Sequence, residues 1–176
     1  MPRTQPNVII TGTPGVGKSS HCEQLASQTS LKHLSINDVV KEHSLHTEYD
    51  TTLSTLVVDE DKLLDHVEPI LEEGGNIVDW HVCDIFPERL IDLVVVLRAG
   101  TEALYDRLTA RNYANVKLQE NLDAEIMGMV EEEAREGYEE DIVMVLESNT
   151  VEDMEKNLEE IEKRIQKWRE EHPEGV

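Results

Sequence analysis

Aromatic side chains are nearly missing from this chain: one Phe, two Trp and four Tyr among 176 residues. Aliphatic side chains must therefore fill most of its core. Cysteine is equally sparse. Cys22 and Cys83 are isolated, with no C-x-x-C spacing, which argues against a disulfide framework or a zinc site and makes a reducing, cytosolic or nuclear compartment the default. No apolar run approaches the roughly 18 residues of a membrane span. The polar stretch 1–7 opens straight into a strand pattern, so no secretory signal is visible. Positive charge is also short: 16 Lys and Arg stand against 38 Asp and Glu, a net charge of −22. The overall field of such a chain does not draw it to nucleic acid or anionic membrane. Either the acids form a well-solvated surface, or an acidic face docks a basic partner protein.

What is present is alternation. The length suits one domain with a proper core, no internal repeat is visible, and strand and helix patterns follow one another from end to end. Strands are expected at 7–11, 33–36, 76–79, 92–97 and 142–146. Helices are expected over 18–28, from a cap at Asn37 or Asp38 to about His43, over 62–73, and from a cap at Thr101 to about Arg111. Leu118, Leu122, Ile126 and Val130 recur every four residues and predict one further helix that stops at Gly137. The stripe Val151, Met154, Leu158, Ile161, Ile165 and Trp168 predicts the last helix, packed at home or, as the minority reading, on a partner. Residues 45–58 lack clear periodicity and read as a mobile segment, and 112–117 as a short polar connection. The whole predicts an α/β domain with a five-stranded parallel sheet flanked by helices, its ligands held beyond the carboxyl ends of the strands.

The chemistry begins there. Gly12-Thr13-Pro14-Gly15-Val16-Gly17-Lys18-Ser19 satisfies G-x-x-x-x-G-K-[ST] between the first strand and the first helix, the P-loop pattern of ATP-binding proteins. Gly15 and Gly17 let the backbone curl so that its N–H groups cradle anions, and the helix presents its positive end to them. Lys18 reaches the β- and γ-phosphates, the Ser19 hydroxyl is a ligand for Mg²⁺, and Ser20 adds a phosphate contact. Asp79 closes a strand beside the P-loop strand, where an acid either holds magnesium, often through water, or caps a turn. His81 either positions or deprotonates a water or hydroxyl, or is structural. Cys83 reads as a small packing residue. Arg107 and Arg111 share one helical face before the polar connection. They read as cations that close over the transferring phosphoryl group, Lys117 with them, or as a solvated face.

The stretch 12–20, the segment NIVDWHVCDIFPER at 76–89 and LYDRLTARNYANVKLQENLDAE at 104–125 together resemble the nuclear adenylate kinase-like ATPases, also called the coilin-interacting nuclear ATPase family. The likeness runs from about residue 7 to about 148. It implies an adenylate kinase-like P-loop fold, with about 35–58 as the monophosphate-binding segment and about 110–120 as the lid. Carried over by position, Gly15, Gly17, Lys18, Ser19 and Ser20 bind ATP, Arg111 contacts it from the lid, and Asp79 and His81 serve magnesium handling and ATP hydrolysis. The family's dual character implies adenylate kinase activity (ATP and AMP to two ADP) together with ATPase activity. It further implies a role in small-subunit ribosomal RNA maturation through a basic small-subunit ribosomal protein, in nucleus and cytoplasm. Two departures stand out. Ser19-Ser20 occupies a position where two threonines are common, and Lys41 stands where an arginine is expected, keeping the charge without the bidentate fork. An assembly factor driven by ATP hydrolysis, or a kinase of another small metabolite, are the alternative readings. A monomer is the default.

Overall fold

The computed structural model describes residues 2–53 and 55–176. In chain order it runs β1 (Val8–Thr11), α1 (Lys18–Gln28), β2 (Lys32–Ser35), α2 (Ile36–Glu42), β3 (His46–Asp50), β4 (Thr55–Val58), α3 (Glu60–Glu73), β5 (Asn76–Asp79), β6 (Leu93–Arg98), α4 (Thr101–Ala110), α5 (Asn115–Met127), α6 (Met129–Gly137), β7 (Val143–Glu147) and α7 (Val151–Glu171). The run VIIT of β1 is buried along its whole length, as a central strand covered on both faces must be. It pairs in parallel with β5 and β6, and the five-stranded parallel sheet has the order β2-β5-β1-β6-β7.

Alternation along the strands splits the core in two. Ile9, Val78, Val94 and Val96 pack with Leu63, Val67 and Leu71 of α3 and with Ala134 of α6. Val8, Ile10, Ile77, Val95 and Leu97 pack on the opposite face with Leu25 of α1, Leu104 and Leu108 of α4, and Leu158, Ile161 and Ile165 of α7. The stripe on α7 is therefore occupied at home, and the partner-helix reading fails. Thr150 caps this helix in a capping box with Asp153. Among the described residues no helix is long and apolar enough to cross a membrane.

Several boundaries differ from expectation. The segment read as irregular forms an antiparallel hairpin, β3 with β4, although Ser54 lies outside the described residues. Asp50 starts its turn by accepting from the backbone N–H groups of Thr52 and Leu53. Ser35 rather than Asn37 or Asp38 caps α2, its side chain accepting from Asp38 N. Gly100 rather than Thr101 is the cap residue of α4. The polar connection is shorter than 112–117, because α5 already begins at Asn115. The single helix expected through Val130 is broken at Gly128, whose left-handed φ of 66° closes α5 and opens α6.

Candidate active site

The loop after β1 holds Gly12, Gly15 and Gly17 at φ of 151°, 96° and 100°. A methyl group at Gly12 would lie 2.7 Å from the carbonyl oxygen of Leu97, so nothing larger than glycine fits where the loop leaves the sheet. Three of the loop's carbonyls are bound by side chains that flank it. Gly15 O accepts from Arg107 Nη1 at 3.3 Å, Val16 O from Ser148 Oγ at 2.5 Å, and Gly17 O from His21 Nδ1 at 2.8 Å. Holding the carbonyls outward is what a nest of inward N–H groups requires. The His21 ring is fixed as well: with Nδ1 donating, Nε2 accepts from Asn157 Nδ2 at 3.2 Å, and Asn157 also donates to Glu147 O. Through this relay α7 braces the P-loop.

A cleft of about 290 Å³ opens at the carboxyl ends of β1 and β5 and is lined by Lys18, Ser19, Asp79, His81, Arg111 and Lys117, among others. Lys18 Nζ lies 3.3 Å from Thr13 O inside the loop. Ser19 Oγ donates to Asp79 Oδ2 at 3.0 Å. The pairing of a hydroxyl with a carboxylate at the loop's rim suits a hard, oxygen-seeking cation such as Mg²⁺, so the residues present fit that ion. Arg111 is the C-cap residue of α4, and the chain turns there through Asn112, at φ 58°. Lys117 returns from the first turn of α5, its Nζ 4.5 Å from the centre of the Tyr113 ring. The structure therefore brings Lys18, Ser19, Asp79, His81, Arg111 and Lys117 together.

Arg107 is not brought into this cleft. It lies on the outer side of the P-loop and bridges Gly15 O to Asn149 O, the latter at 3.0 Å. Its reading as a cation over the transferred phosphoryl group is corrected accordingly: four residues from Arg111, it sits one turn nearer the start of α4. Ser20 is exposed on α1 and does not line the cleft.

Burial decides the charge states. Desolvation pulls Lys18 down from 10.5 to about 8, with Asp79 opposing the shift and Arg111 adding to it. Burial, with the charges of Lys18 and Lys117, pulls His81 down to about 4, so its imidazole is neutral near pH 7 and a weak base. Cys83 is wholly buried, and burial, with Asp84 and Glu133, pushes its thiol up to about 12. It remains a packing residue, as the sequence predicts. One consequence is measurable. Anionic phosphates restore the Lys18 proton, so above about pH 8 ATP binding takes up a proton and the affinity falls, by at most about tenfold per pH unit. Calorimetry at pH 9 in buffers of different ionisation enthalpy reads this uptake; equal heats in all buffers would contradict it.

A second cleft, about 600 Å³, lies between α2, the β3–β4 hairpin and the end of β5. Its walls include Val40, Leu56, Val58 and Trp80, and it shares Asn37, His81 and Lys117 with the first cleft. The buried indole N–H of Trp80 has no hydrogen-bond partner among the described residues. Beneath the P-loop lies a residue the sequence does not single out. Glu125, buried on α5, accepts from Thr13 Oγ1 at 2.9 Å, from Ala99 N at 2.8 Å and from Arg98 Nε at 3.1 Å. No local spacing links residues so far apart along the chain.

Residues 8–128 match the family described as AAA domain. The chain is 53% identical over 175 residues to the adenylate kinase isoenzyme 6 homolog of Saccharomyces cerevisiae, covering 99% of this chain and 89% of that one. Its likeness to the homolog of Candida albicans is also 53%, over 99% of this chain and 74% of that one. For the homolog of Schizosaccharomyces pombe it is 49%, over 97% of both. The shikimate kinase of Bacteroides thetaiotaomicron shares the fold at a TM-score of 0.64 and 13% identity, over 92% of this chain and 99% of that one. With its P-loop set on a five-stranded parallel sheet, the chain belongs to the adenylate kinase isoenzyme 6 homolog family and is an enzyme of the phosphotransferase or ATPase type.

Proposed function

We propose that this protein transfers the γ-phosphoryl group of ATP to AMP, giving two ADP, and hydrolyses ATP more slowly when no acceptor is bound. The observation that carries this reading is the pair of adjoining clefts. One is ringed by Lys18, Ser19, Asp79 and Arg111 for a triphosphate, the other, walled by Val40, Leu56, Val58 and Trp80 together with Lys41 and Glu60, is large enough for a nucleoside monophosphate, and His81 and Lys117 stand on their shared border. On this reading the stretch from Ser35 to Val58 is the monophosphate segment, and Arg111 with the start of α5 is the lid. Arg107, beside Asn149 on the far side of the P-loop, meets the nucleoside end of ATP rather than its γ-phosphate.

Phosphoryl transfer is carried mostly by positioning and charge. Lys18 holds the β- and γ-oxygens, Arg111 and Lys117 neutralise the equatorial charge from the lid side, and Ser19 and Asp79 would hold the magnesium ion. When bound, that ion would supply charge neutralisation for the transferring phosphoryl group. A bond forms between an AMP phosphate oxygen and the γ-phosphorus while the bond from that phosphorus to the β-bridging oxygen breaks. The attacking oxygen of AMP is already ionised near pH 7, so the kinase reaction needs no general base. Water does need orienting, and the neutral His81 imidazole can accept its hydrogen bond. His81→Ala should therefore cut AMP-independent phosphate release at least about tenfold while slowing AMP-dependent ADP formation much less. Steady-state assays with AMP, other nucleoside monophosphates and no acceptor test both points. No acceleration by AMP over the acceptor-free rate would sink the kinase reading, and equal losses in both reactions would sink the division of labour.

A second reading has its own observation. Ile126, Met127 and Met129 are exposed around the Gly128 break, beside Glu132, Glu136 and a Glu131 held by Arg98 and Arg135. An apolar knuckle flanked by Glu132 and Glu136, on a chain of net charge −22, suits a basic protein, such as the small-subunit ribosomal protein that the family resemblance implies, met in nucleus or cytoplasm. Hydrolysis would then release the partner, and partner affinity must differ between the ADP-bound and ATP-analogue-bound chain. Equal affinities in the two states would remove this reading.

A further inference from the structure

Asp79 faces two ways. On the phosphate side its Oδ2 accepts from Ser19; on the side of the edge strand the same oxygen meets His33 Nε2 at 2.8 Å. Cys22, wholly buried on α1, completes this second group. The ligand atoms of Cys22, His33 and Asp79 all lie within 4.8 Å of one another. We propose that these three residues form a binding site for a thiophilic divalent cation of the zinc class, and that filling it takes Asp79 away from the magnesium of the nucleotide.

The donor set carries the choice of ion. A thiolate, an imidazole and a carboxylate are the ligands of zinc and its neighbours, whereas magnesium takes oxygen and keeps its waters. One carboxylate thus stands between two sites of opposite preference: Ser19 and the phosphates on one side, sulfur and nitrogen on the other. The three ligands come from regular elements, a helix turn, an edge strand and the end of an inner strand, so their backbones are fixed by the sheet. Bonds of about 2.0–2.3 Å need donor separations of about 3.3–3.5 Å, so the 2.8 Å edge between His33 and Asp79 opens slightly while the edges to Cys22 close by at most about 1.5 Å. His33, 23% exposed, is the ligand of the three with the most room to adjust. The cation replaces the proton held between Nε2 and Oδ2 and displaces the thiol proton of Cys22. A water would complete the coordination. Lys18 is the opposing charge nearby, and the net charge of −22 works in the ion's favour. The spacing rules that argue against a zinc site in the sequence miss this one because its ligands sit on three separate elements.

Binding of the cation does not depend on the kinase reading; its exclusion of magnesium does. The metal-free full chain, kept reduced, is titrated with Co²⁺ while the near-ultraviolet thiolate-to-cobalt charge-transfer band is read. One equivalent should raise the band, and Zn²⁺ should then bleach it. The band should vanish in Cys22→Ser, persist in Cys83→Ser, and need at least tenfold more Co²⁺ in His33→Gln. No band in the wild type, or a band that persists in Cys22→Ser, overturns the site. His33→Gln keeps the test decisive should Cys22→Ser fail to fold, since unchanged Co²⁺ affinity there is equally fatal. Saturating Mg·ATP should raise the Co²⁺ needed at least tenfold. An undiminished band on a chain shown to hold nucleotide overturns the exclusion of magnesium and leaves the metal site standing.

Discussion

Replacing Lys18 with methionine should lower ADP formation by about 10²–10³-fold, the loss expected when one preorganised charge is taken from a developing anion, without lowering the melting temperature. The two halves of that result have one cause. Lys18 sits at the root of the P-loop, close to Thr13 O and within the fields of Asp79 and Arg111. Its proton is easier to lose folded than unfolded, since burial brings it from 10.5 to about 8. Below about pH 8 the folded chain therefore carries a desolvated cation at a cost, and that cost fades as pH rises from about 8 towards 10.5, where the unfolded chain too gives up the proton. Methionine keeps the stem and removes the charge, so near pH 7 the variant is expected to melt at or above the wild-type temperature. Calorimetry and turnover on one preparation check both halves. A loss of activity matched by a fall in melting temperature would mean that Lys18 serves the fold rather than the phosphates.

The second large effect is expected at Glu125. Its carboxylate is buried and holds Thr13 of the P-loop, the Ala99 amide and the Arg98 guanidinium at once. Glu125→Ala strands all three, and removing one partner of a buried pair typically costs 3–5 kcal/mol. Arg98 is partly exposed and keeps Glu131, so the lower end applies, about 3 kcal/mol, or roughly 6–12 °C in melting temperature for a chain of this size. The loop should loosen as well, raising the KM for ATP. Thr13→Val separates the two effects. It cuts only the link to the loop and should cost about 1 kcal/mol of stability while raising the KM for ATP as much as Glu125→Ala does. If Thr13→Val leaves that KM unchanged, Glu125 supports the fold alone.

These two sites show what the sequence could and could not disclose. Lys18 is legible because the P-loop is a contiguous pattern whose strand and helix neighbours are equally local. The segment 76–89 is legible for the same reason, and it brings Asp79 and His81 to one strand end. The stripe of α7 holds a three-four alternation and packs as expected. Leu118, Leu122, Ile126 and Val130 mislead because steps of four overshoot a full turn by about 40° each. Over three steps the stripe walks about 120° around the helix, which leaves Ile126 63% exposed and lets Gly128 break the run. The hairpin escapes because His46–Asp50 is polar and largely exposed, so no buried face imposes alternation. The cap at Ser35 is readable as an S-x-x-D pattern, two residues ahead of Asn37 and three ahead of Asp38, the expected caps. The links Thr13–Glu125, His21–Asn157 and His33–Asp79 join distant segments, and only the folded sheet and its helices bring them together.

On the proposed function, the cleft around Lys18, Asp79 and Arg111 passes a phosphoryl group to a nucleotide in the neighbouring cleft. The most direct measurement is a single turnover with ATP labelled at the γ-phosphorus, in the presence of AMP, with the label followed to its product. Most of the label should appear as the β-phosphate of newly formed ADP, and in Lys18→Met it should move about 10²–10³-fold more slowly. Label found as inorganic phosphate, at the same rate with and without AMP, would contradict it and leave hydrolysis as the chemistry of this cleft.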